Sequence, residues 1–158
     1  MHRLLLAALL AVPASAHAGA AWDSYFNARY GYEVAVPPGF AGQGEPDAGD
    51  GQVFRSADRN VVLTVWGGYL DGSFKDDVDM RLGGFRTSGW NITYQAETPG
   101  WAAYSGTKGQ RVFYSREIAG CKGTQLAAFE LDYPATQIKA MNAVVSKLAA
   151  SLRQRACS

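Results

Sequence analysis

Residues 90–133 read WNITYQAETPGWAAYSGTKGQRVFYSREIAGCKGTQLAAFELDY. Four runs rich in aromatic and β-branched residues lie in it: Trp90 to Glu97, Trp101 to Gly106, Gln110 to Ile118 and Gly123 to Tyr133. Between them stand Thr98-Pro99-Gly100, Thr107-Lys108-Gly109 and Ala119-Gly120-Cys121-Lys122, residues that turn a chain rather than extend it. Strands joined by such short connections pair with their sequence neighbours, so this half of the chain predicts an antiparallel meander.

Helices flank the meander. Pro134 suits the first position of a helix, and Ile138, Met141, Val145, Leu148 and Leu152 then recur at helical spacing as one apolar stripe. Upstream, Phe74, Val78, Leu82 and Phe85 form a second stripe, with Ser73 as N-cap and Asp76 and Asp77 in the first turn, where the helix dipole favours acid. With Asp79 these acids read as dipole complement and solvated face rather than as a metal site. Gly83 and Gly84 weaken the last turn, and Gly89 closes the helix.

Further upstream, Gln52 to Ser56 and Asn60 to Gly67 read as a hairpin around Ala57-Asp58-Arg59. Its second strand, NVVLTVWG, is apolar on both faces and is expected to be central. In YGYEVAVPPGF (residues 30–40), Tyr30, Tyr32, Val34 and Val36 share one face, and Pro37 and Pro38 end the strand. Residues 39–51 show no apolar period and read as a loop. Trp22, Tyr25 and Phe26 are expected to cover a sheet edge or face. The elements give a single α+β domain with one helix in mid-chain and a long one at the C-terminus.

The chain opens with His2 and Arg3, an apolar run from Leu4 to Val12, then Pro13 and Ala14-Ser15-Ala16-His17-Ala18. These are the three regions of a secretory signal peptide. The run falls well short of the roughly 20 residues a spanning helix needs. Residues 1–18 are thus expected to be a leader cleaved after Ala16 or Ala18, with residues 19–158 exported to the periplasm or beyond as one domain. Cys121 and Cys157 are the only cysteines, and an even count in an exported chain favours one structural disulfide between them. Lys plus Arg number 15 and Asp plus Glu 14, so no broad basic field attracts nucleic acid or anionic lipid.

Histidine is the informative absence. The two present, His2 and His17, lie in or beside the leader, so cleavage after Ala18 leaves none. That removes hydrolases with an imidazole base and nearly every catalytic zinc arrangement. Serine-elbow, zincin, phosphate-loop and dinucleotide motifs are missing too. Ser105-Gly106-Thr107-Lys108 matches S-x-x-K formally, but it spans a strand end and a turn, without companion motifs. What survives as an enzyme is a carboxylate pair acting on a glycan. One loop, GQGEPDAGDGQ (residues 42–52), gathers Glu45, Asp47 and Asp50 among glycines. It is the candidate binding loop: its spacing fits no dedicated calcium motif, and a basic protein partner is expected there, with calcium affinity weak at best.

FNARYGYEVAVPPGF, DGQVFRSADRNVVLTVWGG and ELDYPATQIKAMNAVVSKLAASL together resemble the PsbP-like superfamily. That superfamily is named after an extrinsic subunit of plant photosystem II and shares its fold with a nuclear Ran-binding protein. The resemblance runs from about Tyr25 to Leu152 and carries scaffold marks, an aromatic-Gly-aromatic strand ending in Pro and a Tyr-Pro before the last helix. It implies an α/β/α sandwich with a central antiparallel sheet of about six or seven strands. It also implies binding of proteins or metal ions in place of catalysis, and similar bacterial domains serve secretion systems as chaperones or immunity proteins. The expected function is therefore a non-enzymatic periplasmic or secreted binding module acting through protein–protein contact, as a monomer or small homo-oligomer, with no catalytic residue and no cofactor. A specific form is an immunity or inhibitor protein of a secretion-system effector. The alternative is a small glycan hydrolase or a calcium-binding accessory protein.

Overall fold

The computed structural model describes residues 21–157. The leader, its cleavage position and both histidines lie outside the described residues. The elements are β1 (Asp23–Asn27), β2 (Tyr32–Val36), β3 (Ala41–Gly42), β4 (Gly51–Arg55), β5 (Val62–Tyr69), α1 (Phe74–Thr87), β6 (Asn91–Thr98), β7 (Trp101–Lys108), β8 (Arg111–Gly120), β9 (Gln125–Pro134), α2 (Ile138–Ser151) and β10 (Arg153–Gln154). Seven of the strands make one antiparallel sheet in the order β3-β4-β5-β9-β8-β7-β6. The meander holds, and β9 lies between β5 and β8 with Gln125 through Phe129 all buried. That run is apolar after Gln125 because both faces of a central strand are covered there.

Consecutive residues of β8 show the layering. Val112 packs into a cluster with Tyr32, Val34, Leu63, Phe129, Leu131, Leu148 and Leu152, whereas Phe113 packs with Phe74, Val78, Leu82 and Tyr104. Neighbouring strand residues point to opposite faces, so α2 covers one face of the sheet and α1 the other. The result is an α+β sandwich with helices on both sides of an antiparallel sheet.

YGYEVAVPPGF forms the strand β2, which ends at Val36 before Pro37 as expected. Its strand does not join the large sheet; it is the middle of a separate sheet, β1-β2-β10, lying on the α2 side. Tyr30, Tyr32, Val34 and Val36 are all buried, as their shared face requires. Gly67 admits this layer: a β-carbon there would meet the Tyr32 ring at 2.7 Å and Tyr30 Cβ at 2.9 Å. Gly31 has φ +60° and lies under the C-terminal tail, whose Arg155 and Ala156 amides donate to its carbonyl oxygen at 2.7 and 3.0 Å. Strands β1, β3 and β10 come from segments with no apolar period, and pairing recruits them. Glu33 of β2 holds the tail as well. It accepts from the Ser24 hydroxyl at 2.7 Å and from Arg153 Nη2 at 2.8 Å, contacts that keep its carboxyl below the usual range.

Helix α1 starts as expected. Ser73 accepts from the Asp76 amide, and the Asp76 carboxylate accepts in return from the Ser73 amide, a capping box. Asp77 pairs with Arg81 and Asp79 with Lys75. In α2 the expected stripe is buried only toward its C-terminal end. Leu148 is buried and Leu152 beyond it also, Met141 and Val145 are half-buried, and Ile138 is 42% exposed. Pro134 ends β9, and a short 3-10 turn, Ala135–Gln137, precedes the helix.

Cys121 and Cys157 are bonded, with Cα atoms 5.5 Å apart. Cys121 sits in the turn between β8 and β9, where it, Lys122 and Gly123 all have positive φ. Cys157 follows β10, so the bridge ties the large sheet to the tail of the small one. Closing a loop of 36 residues stabilises by about 4 kcal/mol in the chain-entropy account.

Candidate functional site

The loop with Glu45, Asp47 and Asp50 is held by its backbone. Asn27 Nδ2 donates to the Gly49 carbonyl at 2.9 Å, Arg29 Nη1 donates to that of Ala48, and the Tyr32 hydroxyl donates to that of Asp50 at 3.0 Å. The Gly67 amide also donates to the Asp50 carbonyl, at 2.8 Å. Asn27 and Tyr32 are buried, so the loop is anchored in the core at its far end. Its carboxylates do not converge. Glu45 accepts from the Tyr25 hydroxyl at 2.6 Å, whereas Asp47 and Asp50 offer side chains with no hydrogen bond or ion pair among the described residues. Burial pushes the Tyr25 phenol up to about 12, so it stays a donor to Glu45. Among the described residues no three Asp, Glu, His or Cys side chains are grouped to hold a metal ion.

This loop borders a trough on the α1 side of the sheet. Helix α1 covers the β7–β8 half of that face and leaves the β4–β5 half open. Leu63 and Val65 of β5 are therefore buried against the small sheet and α2, while Thr64 and Trp66, facing the other way, are only half-buried. Trp66 is the shared wall of two hollows. One, of about 440 Å³, runs from Gln43 and Glu45 along Asp50 and Val53 to Thr64 and Trp66. The other, of about 310 Å³, is lined by Trp66, Arg81, Phe85, Trp90, Tyr104 and Glu130.

Beneath the second hollow lies a charge cluster that the sequence did not single out. Glu117 of β8 is fully buried. Its Oε1 accepts from the Tyr104 hydroxyl, and its Oε2 lies 3.3 Å from Arg81 Nε, in charge contact without a hydrogen bond of its own. Arg81 Nε donates to Asp77 at 2.7 Å, and its guanidinium lies over the Trp66 ring, 5.1 Å from the centroid. Burial pushes the Glu117 carboxyl up to about 7 against the opposing pull of Tyr104 and Arg81. Glu130 of β9 is also pushed up to about 7, by burial and then by the neighbouring charge of Asp132, with Arg81 opposing. Asp132 is committed to Arg111, whose Nη2 is 2.5 Å away. Glu130 has no hydrogen bond or ion pair among the described residues.

Chemically, the trough offers aromatic walls, one unpaired carboxylate and an acidic rim. It does not present two carboxylates to one substrate, because Glu117 is sealed beneath Tyr104 and Arg81. Two other hollows carry less chemistry. One, of about 440 Å³ between the start of α1 and the β6–β7 turn, has Lys75 and Glu97 as its charges, and Lys75 is taken by Asp79. The other, of about 450 Å³ on the α2 side, is walled by Tyr94, Tyr114, Tyr133, Ile138 and Val145 and has no charged group. It accounts for the exposure of Ile138, since no element covers the start of α2.

No protein-family model matches the chain, and no curated protein sequence does. Solved structures do match. The fold is that of the PsbP-like and Ran-binding-protein structures. Cyanobacterial PsbP (CyanoP) from Synechocystis sp. superimposes with a TM-score of 0.62 at 19% identity, covering 90% of this chain and 98% of its own. The Ran-binding protein Mog1p of Saccharomyces cerevisiae superimposes with a TM-score of 0.63 at 11% identity, covering 86% of this chain and 96% of its own. Likenesses this distant in sequence define the scaffold; the site has to be argued from its own residues. Among the described residues no helix is long and apolar enough to cross a membrane.

Proposed function

We propose that this chain is an exported, non-enzymatic binding module that uses the trough around Trp66 and the loop carrying Glu45, Asp47 and Asp50 to hold a partner protein with a basic surface. One observation carries the reading. The loop is fastened to the core through its backbone, and the Asp47 and Asp50 carboxylates make no hydrogen bond or ion pair among the described residues, with Asp50 lining the same hollow as the half-buried Trp66. Charges fixed on a rigid scaffold beside a large apolar side chain are what a specific interface needs: the aromatic anchors, and the charges set register and association rate. The leader-like N-terminus supports an address in the periplasm or outside the cell, and the disulfide suits that compartment. The Ran-binding description of Mog1p offers a protein-binding precedent on this scaffold. A specific form is an inhibitor that protects its producer from a secreted effector enzyme. The reading puts a protein rather than calcium on the loop, whose acids are not grouped in threes to hold a metal ion among the described residues.

The hydrolase alternative has one observation in its favour, two carboxyls raised to about 7 on adjacent strands. Two-carboxylate glycoside cleavage needs both groups at the substrate, and Glu117 is out of reach. The test is capture from periplasmic extract with the immobilised wild type and with Trp66→Ala, alongside an assay on peptidoglycan. A protein held by the wild type and released from the variant is expected. Turnover abolished by Glu130→Gln would reverse the ranking.

A further inference from the structure

We infer that the hollow between Trp66 and Trp90 accepts one long basic side chain, lysine or arginine, from the partner protein, with its charged end against the Glu130 carboxylate. The inference rests on the protein-binding reading above and names the chemistry of its anchor. Three features point to a cation with an apolar stem. The walls are Trp66, Phe85, Trp90 and Tyr104, and the space of about 310 Å³ is at the lower end of what holds a small ligand. Aromatic walls accept the methylenes of a long side chain and attract its charge. The chain already shows this chemistry on itself, with the Arg81 guanidinium over Trp66.

Charge decides the sign of the occupant. Arg81, the cation at the hollow, is paired with Asp77 at 2.7 Å, and the Glu117 carboxyl lies 3.3 Å from it. Glu130 makes no hydrogen bond or ion pair among the described residues, Arg81 acting on it only at a distance, and an anionic guest would meet Glu130 with Asp77 behind Arg81. An apolar guest would seal Glu130 away from water with nothing to pair it, which penalises binding. A cation relieves both problems. Continuing past Trp66, Glu45 and Asp50 line the adjoining hollow, so neighbouring basic residues of the same partner find complementary charge.

The test follows the Trp indole N–H signals by NMR while titrating Nα-acetyl-lysine amide, Nα-acetyl-arginine amide and the neutral isostere Nα-acetyl-norleucine amide. A ligand of this size is expected to bind at about 1 mM. The two cationic amides should shift the Trp66 and Trp90 signals saturably, and norleucine amide should bind at least tenfold more weakly. Glu130→Gln should lose about tenfold for the cations, while Glu97→Gln, outside the hollow, should lose nothing. Equal binding of norleucine amide, unmoved indole signals, or unchanged affinity in Glu130→Gln would each overturn the inference. Putrescine binding a hundredfold tighter than either amide would make the ligand a free amine and overturn the partner assignment. A partner captured by the whole chain while both amides fail would sink the hollow and leave the protein-binding reading intact.

Discussion

Replacing Glu117 by glutamine should flatten the dependence of stability on pH. Glu117 is fully buried, and its carboxyl titrates near 7 in the folded chain against an ordinary 4.5. The folded state therefore keeps a proton that the unfolded chain releases. Stability from this group is complete below about pH 4.5, falls by about 1.4 kcal/mol per pH unit, and levels off above pH 7. The total loss is about 3 kcal/mol, large beside the 5–15 kcal/mol typical of a domain. Glutamine carries no titrating proton, can still accept from the Tyr104 hydroxyl, and leaves Arg81 paired with Asp77. The assay is urea unfolding of wild type and Glu117→Gln at pH 5, 6, 7 and 8, followed by Trp fluorescence. Glu130 titrates in both proteins, so it largely cancels in the difference. The variant should gain about 3 kcal/mol on the wild type between pH 5 and pH 8. Parallel profiles would show that Glu117 is already ionised in the folded chain, with Arg81 winning over burial, and would refute the reasoning.

Gly31→Ala should destabilise by about 2 kcal/mol or more, read as a lower melting temperature, because φ is +60° and a β-carbon there collides with the Ala156 carbonyl oxygen. Thiol titration of the denatured, unreduced protein should find no free sulfhydryl, and Cys157→Ser should cost about 4 kcal/mol at most in urea unfolding. Calorimetric titration with calcium should give no saturable micromolar binding; such binding, lost in Asp47→Ala, would restore the metal reading of the loop.

The meander, both helices, the Ser73 cap and the disulfide pair were legible because each rests on a local rule: turn residues, apolar period, capping or compartment. The small sheet was not. Tyr32 to Val36 reads as a strand whatever it pairs with, and only the close approach at Gly67 and Gly31 places it on a second layer. Strands β1 and β10 carry no period of their own and exist through β2. The loop acids were visible as a cluster, but the backbone anchors that fix the loop, at Asn27 and Tyr32, are distant in sequence, and among the described residues the acids are not grouped to hold a metal ion. Glu117 and Glu130 were missed as a site because β8 and β9 also carry Arg116 and Asp132, so neither glutamate stands out in its strand. Strand β5 is central as expected, and Trp66 on it is half-buried beneath the Arg81 guanidinium of α1.

A partner seated on the trough and its acidic loop leaves its footprint on the backbone amides there. Amide hydrogen exchange of the chain, alone and saturated with its captured partner, measures this directly. Added protection is expected over residues 43–54 and 62–67, with the Trp66 indole shielded, and the surface around Tyr94 and Ile138 should exchange as in the free chain. Protection confined to Tyr94, Tyr133 and the start of α2 would contradict it and move the interface to the opposite face of the sheet.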